Sequence, residues 1–288
     1  MILLWCARVA WAVLPVTTGT AFADAVDGWS AAPARVAAVL LWVVWAAGLL
    51  ALFVPRPWGL TLLRVVAPCA VLAALSTAFA AGGAAAGAAI ATSIAAAALA
   101  LSNPYATAAA NAAAYGEERR IPLRIPTPLL LGPLPLAIVV CGGAISAGPI
   151  VLAAGHVVLG ALLLVIGWPL AFVVARAIHA LSMRWLVFVP AGIAVVDPLT
   201  LVDPALVRRE HIASLRRLTA SKLTGNALDL RLGTLSGSIA IDLREPVAFV
   251  RRRNRTNAEV LEPATVALAL TRAGDALELA GARRIATA

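Results

Sequence analysis

Four arginines near the C-terminus carry the densest charge in the chain: Arg251-Arg252-Arg253, with Arg255 just beyond. Each supplies a planar, permanently charged fork of donors suited to phosphate or carboxylate. Beside an anionic bilayer, each such charge gains about 1 kcal/mol. Three uses follow: contact with anionic lipid headgroups, docking to an acidic partner, or a plain solvated loop. A second charged segment, Gly116-Glu117-Glu118-Arg119-Arg120, offers two carboxylates. Adjacent side chains point apart on a helix, so the pair is not spaced for joint acid–base work. It reads as a solvated loop that helps to set membrane topology.

The remaining reactive residue types do not converge. His156, His179 and His211 are scattered, and Cys6, Cys69 and Cys141 each fall inside an apolar run, where cysteine behaves as a small hydrophobe. No C-x-x-C pair, H-E-x-x-H helix or G-x-S-x-G elbow occurs, and Lys222 follows Ser221 without the glycines that a phosphate-binding loop requires. The expectation is therefore no catalytic residue, no cofactor and no metal site. Asn254-Arg255-Thr256 is a formal glycosylation sequon, which matters only if that segment leaves the cytoplasm.

Composition says what must position these groups. Of 288 residues, 62% are hydrophobic and 13% charged, and the mean hydropathy is +0.93. Soluble domains are about half apolar and about a quarter charged. The excess lies in apolar runs long enough to cross a bilayer, which excludes a disordered chain, a disulfide scaffold or an ordinary soluble enzyme. Residues 1–180 hold eight Arg, no Lys and four acids, whereas the remaining 108 hold fourteen Arg, Lys222 and ten acids. A polytopic membrane domain over 1–180, followed by a soluble domain over 182–288, accounts for that split. The net charge of +9 is explained by cytoplasmic arginines, so no nucleic-acid partner is expected.

Spans are expected at about 3–22, 36–54, 59–80, 84–102, 129–147 and 151–177, with a kink at Pro169. Residues 1–23 fit either a first helix or a cleaved signal peptide ending at Ala21-Phe22-Ala23, giving six or five spans. The segments carrying Arg56, the connection 103–127 and the basic tail all fall on one side of this alternating topology. The other side holds Asp24 to Arg35, the Gly82-Gly83 turn and Ser146 to Gly148. The positive-inside rule puts the C-terminus in the cytoplasm of an inner (plasma) membrane protein. No acid falls at mid-membrane, and Arg8, Arg64 and His156 are placed as interfacial residues.

Beyond Arg184 the apolar period becomes two. Trp185–Val189 and Ile193–Val196 read as strands about a Gly192 turn. Leu228, Leu230 and Leu232 alternate with polar residues, as do Ile239, Ile241 and Leu243, and a hairpin joining the two through 233–238 is expected. Val266, Leu268 and Leu270 give another strand, and Asp275–Ile285 a terminal helix. Residues 205–218 allow strand or helix. The sum is a small, antiparallel, β-rich domain.

Trp185-Leu186-Val187-Phe188-Val189-Pro190, Arg208-Arg209-Glu210-His211-Ile212-Ala213 and Ile241-Asp242-Leu243-Arg244-Glu245-Pro246 make this tail resemble bacterial pleckstrin-homology-like (PH-like) domains. Gly116-Glu117-Glu118-Arg119-Arg120 leading to Pro122-Leu123-Arg124, with Leu131-Gly132-Pro133-Leu134-Pro135, makes the whole chain similar to uncharacterised actinobacterial multi-span membrane proteins. The resemblance implies lipid or protein binding through the PH-like module and carries no activity. The function expected is a non-catalytic accessory or scaffold protein. Its partners would be the bilayer, anionic headgroups and another membrane protein. The alternative is a small permease or transporter subunit, favoured by breaks at Pro68, Pro133, Pro135, Pro149 and Pro169; an intramembrane enzyme is a distant third.

Overall fold

A computed structural model describes residues 2–80, 82–219, 223, 225–254 and 256–288. The elements in chain order are α1 (Ile2–Ala25), α2 (Ala31–Phe53), α3 (Pro57–Ala80), α4 (Gly83–Ala100), α5 (Asn103–Asn111), β1 (Arg119–Pro122), α6 (Thr127–Leu131), α7 (Pro133–Ala153) and α8 (Val157–Ser182). There follow β2 (Trp185–Val189), β3 (Gly192–Val196), β4 (Ala205–Arg208), β5 (Ile212–Arg217), β6 (Ala227–Asp229), β7 (Ser238–Leu243), β8 (Phe249–Arg252), β9 (Ala258–Leu261), β10 (Thr265–Ala269) and α9 (Ala273–Ala282). The chain divides into a helical unit, Met1–Ala109 with Leu134–His179, and a β-rich unit, Ala110–Pro133 with Ala180–Ala288.

Among the described residues, six helices are long and apolar enough to span a membrane: α1, α2, α3, α4, α7 and α8. This is a multi-span membrane protein. The expected spans shift at the second half, where α7 begins at Pro133 rather than near 129 and runs through Pro149. The turn expected at 146–148 therefore falls at Ala154–His156, where Gly155 takes a left-handed φ of 89° that suits a residue without Cβ. Helices α1, α3, α7 and α8 continue through Pro15, Pro68, Pro149 and Pro169, so these prolines do not interrupt their helices. Small residues set the α7–α8 approach: a Cβ on Gly148 would meet Leu164 at 2.7 Å, and one on Gly160 would meet Leu152 at 2.6 Å.

Proline also explains how α1 is held. Pro15 has no N–H to give the carbonyl of Trp11, four residues earlier. The Trp45 indole of α2 donates to that carbonyl at 3.0 Å, and the Trp11 indole donates back to the Trp45 carbonyl at 2.8 Å. Trp11 is fully buried and lies directly against Gly48, where no side chain fits. Thr17 and Thr92 link α1 to α4 through their hydroxyls at 2.8 Å.

The β-rich unit begins between the spans. The connection 103–127, expected as a loop, contains β1, which pairs antiparallel with β2 in register Arg120↔Val187 and Ile121↔Leu186. The first sheet runs β1-β2-β3-β4 and the second β5-β7-β10-β6. The β2–β3 hairpin forms about the Gly192 turn as the alternation predicts. Leu186, Phe188, Ile193, Val195 and Val207 from the first sheet share one core with Leu215, Ile239, Ile241, Val266 and Leu268 from the second, and with Ala276 and Ala280 of α9. On the opposite face of β2, Trp185 and Val187 are buried against Ala110. A strand covered on both faces reads as an unbroken apolar run, which is what Trp185–Val189 shows.

The hairpin expected between Leu228–Leu232 and Ile239–Leu243 does not form. Strand β10 lies between β6 and β7, parallel to β6 (Val266↔Leu228) and antiparallel to β7 (Val266↔Ile241). Alternation fixes which face of a strand is buried, not which strand lies beside it. The link after β6 turns through Leu232, Gly233 and Gly237, all at positive φ, and Gly237 packs against the Leu270 carbonyl too closely to admit a side chain. The ambiguous stretch 205–218 resolves as β4, a single 3₁₀ turn at Arg209–His211, and β5.

Candidate functional site

Arg251 and Arg252 lie on a two-stranded ribbon, β8 with β9, rather than on a loop, and Arg253 directly follows β8. Register divides its members. Phe249 faces Leu261 and Arg251 faces Glu259, and because Phe249 is fully buried this face turns toward the core. Val250 faces Val260 and Arg252 faces Ala258 on the other side. Residues 200–202 extend the ribbon along the free edge of β8. The Val202 N–H donates to the Val250 carbonyl at 2.9 Å, the Arg252 N–H donates to the Thr200 carbonyl at 2.7 Å, and Leu201 bridges to Arg251. Val202, Val250 and Val260 therefore form one row across three strands of the outer face, with Val260 65% exposed. The next row holds Arg252.

Arg251, Arg252 and Arg253 are exposed, and neither Arg252 nor Arg253 has an acidic partner among the described residues. Arg251 differs, because its charge helps to lower the pKa of Asp229. Arg255 lies outside the described residues. The turn beyond β8 is fixed by Asn254, whose Oδ1 accepts from the backbone N–H groups of Thr256 at 3.0 Å and Asn257 at 2.8 Å. The ribbon thus offers unpaired guanidinium groups at its tip and a valine row beside them. Sequence reasoning found the arginines but missed the valines, since Val202 is almost fifty residues from Val250.

The other charged groups of this unit are committed to structure. Arg184 and Asp197 form a forked ion pair at 2.7 and 2.8 Å with side chains 2% and 0% exposed. The same guanidinium donates to the Arg124 carbonyl at 2.9 Å, tying the inter-span segment to the sheet. Asp242 accepts from Arg216, Ser214 and Thr265 across three adjacent strands. Burial pushes the Asp242 carboxyl up, but these donors and the Arg216 charge together hold it below its ordinary value. Asp229 is held down in the same way, against burial, by Arg231 and by the more distant Arg251. Glu118 is lowered chiefly by its hydrogen bond from Arg120, whose guanidinium lies over the Trp185 ring at 5.1 Å. Among the described residues no side-chain bond draws Glu117 into this cluster, although its carbonyl accepts from Arg283.

In the helical unit two polar side chains serve a helix end. The last carbonyls of a helix have no partner within it. At the end of α2, Arg8 Nε donates to the Leu52 carbonyl at 3.2 Å and the Tyr105 hydroxyl donates to the Ala51 carbonyl at 2.5 Å. Arg8 also lies 4.6 Å over Trp5 and 4.8 Å over Phe53, and burial raises the Tyr105 pKa. Among the described residues, no three His, Cys, Asp or Glu side chains gather where a metal could bind. Comparison with protein-family models, with curated proteins and with solved structures gives no match.

Proposed function

We propose that this chain is a non-catalytic accessory or scaffold protein of the inner (plasma) membrane, presenting a cytoplasmic PH-like module through its basic ribbon. The observation that carries the reading is the outer ribbon face, where Arg252 and Arg253, without an acidic partner among the described residues, stand beside the Val202–Val250–Val260 row. Cationic tips with adjacent apolar surface fit an anionic membrane surface or an acidic, partly apolar protein. Support for the PH-like reading comes from antiparallel sheets around one core, closed by the C-terminal helix α9. The parallel β6–β10 pair and the strand contributed by the inter-span segment depart from a simple tail domain. The cytoplasmic side is inferred from the positive-inside rule, and the actinobacterial likeness rests on the segments quoted above. Burial of Trp11 within the helical unit favours a first helix that is kept. The transporter alternative loses part of its motive, because three of its five prolines, Pro68, Pro149 and Pro169, lie within continuous helices.

The test uses full-length, cysteine-free protein carrying Asn257→Cys with an environment-sensitive dye, reconstituted with or without phosphatidylglycerol. A blue shift is expected only with the anionic lipid and at low salt, and it is lost in Arg252→Gln/Arg253→Gln. An unchanged spectrum would remove lipid contact. Crosslinking mass spectrometry from native membranes then decides the scaffold reading: a partner at constant ratio, linked to the ribbon, supports it. Recovery of the chain alone, with no lipid response, sinks the proposal.

A further inference from the structure

A groove of about 580 Å³ lies between α3, α7 and α8, walled by apolar side chains such as Val65, Ile145 and Phe172. One end differs in character, because it holds Trp58, Thr61 and His179. Thr61 Oγ1 lies 3.1 Å from the Pro57 carbonyl and 2.7 Å from His179 Nδ1. A hydroxyl has one proton, and the carbonyl can only accept it. With both bonds made, the oxygen accepts from Nδ1–H, and in that tautomer Nε2 is an unused acceptor. No described residue bonds to Nε2. Arg176 is exposed three residues earlier on α8, a neighbouring position on the helix surface. Trp58, Arg176 and His179 mark this end as the headgroup level, since tryptophan and arginine gather where a bilayer meets water.

From this geometry we propose that the groove binds one bilayer lipid, its chain along the apolar walls and its headgroup donating a hydrogen bond to His179 Nε2. Water has no favourable place along Val65, Ile145 and Phe172, whereas an acyl chain does. A bare imidazole nitrogen with an arginine one turn away on the same helix is matched by a phospholipid that carries both a phosphate and a donor, either an ammonium or a hydroxyl. Choline headgroups carry the phosphate without the donor.

The test is native mass spectrometry of the full-length protein in mild detergent, titrated with chain-matched phosphatidylethanolamine, phosphatidylglycerol and phosphatidylcholine. The ethanolamine and glycerol lipids are expected to bind about tenfold more tightly than the choline lipid, the worth of about one hydrogen bond to a charged or strongly polar group. A preference for ethanolamine alone assigns the ammonium as donor, and equal preference for both assigns the shared hydrogen bond. His179→Leu should abolish the discrimination, and His179→Gln, which keeps an acceptor, should restore part of it. Ala175→Phe should weaken all three lipids by filling the groove. Equal binding of the three headgroups to the unaltered protein overturns the proposal without recourse to any variant. So does discrimination that survives in His179→Leu, or a lipid-independent dimer occupying this face.

Discussion

The two units handle polar groups in opposite ways. In the helical unit, side-chain donors seek backbone carbonyls: Arg8 goes to Leu52, Tyr105 to Ala51, and Trp45 to the Trp11 carbonyl that Pro15 leaves open. In the β-rich unit, donors seek carboxylates: Arg184 with Asp197, Arg216 with Asp242, Arg231 with Asp229. The difference follows from supply. Among the described residues no acid lies inside the spans beyond the end of α1, so Arg8 turns instead to an orphaned helix carbonyl and to the Trp5 and Phe53 rings. The β-rich unit has acids on its strands and uses them to fasten one strand to another.

The sharpest way to break this contrast is at Arg184. Removing one member of a buried ion pair leaves the other uncompensated, so Arg184→Ala should cost the β-rich unit about 3–5 kcal/mol. Far-ultraviolet circular dichroism during denaturant unfolding of the full-length protein would show the β signal lost first while helix persists. Equal, small effects on both signals would refute the assignment.

Asp242→Asn should cost about 2 kcal/mol, the scale of hydrogen bonds to a charged group. The pH dependence has a definite sign. Because the Asp242 and Asp229 carboxyls are held below their ordinary values in the folded protein, their contribution is full above about pH 4 and is lost as pH falls through the depressed values. Acid titration of β-unit stability should therefore fall below about pH 4, less steeply in Asp242→Asn.

The helical unit is expected to respond more gently. Trp45→Phe leaves the Trp11 carbonyl without its donor, at about 1 kcal/mol. Pro15→Ala returns an N–H to that carbonyl, so the cost of Trp45→Phe should shrink in the double variant, measured as a coupling in thermal unfolding. Additive losses would contradict the proline account. The smallest effect belongs to the ribbon, where Arg252→Gln/Arg253→Gln should change stability by less than about 0.5 kcal/mol.

How much of this was legible in the sequence depends on the range of each interaction. The spans were, because length and hydropathy are local; so were β2, β3, β10 and α9, whose periods or end charges are written within each segment. Partners were not. Nothing in Leu228–Leu232 says that β10 will lie between it and Ile239, and nothing in Arg119–Pro122 says that it will complete a sheet with residues more than sixty positions later. The arginine cluster was visible as charge, but the placing of Arg251 on the strand face of Phe249 and of Arg252 on the valine face needs the register of β8. Pro15 gave no hint that it frees an acceptor for Trp45.

The central claim is that the segment between the fourth and fifth spans and the chain after the sixth fold as one unit, which also requires both to lie on the same side of the membrane. Leu123 N–H donating to Arg184, and Arg124 N–H to Ala269, tie the same segments together. The most direct test is disulfide formation in full-length protein whose Cys6, Cys69 and Cys141 have been replaced, using Arg120→Cys with Val187→Cys, a directly opposed pair, against Arg120→Cys with Val189→Cys as the off-register control. Efficient oxidation of the opposed pair alone, read by mass spectrometry of the linked peptides, is the expected result. Failure of both pairs, or equal crosslinking of the control, would contradict it.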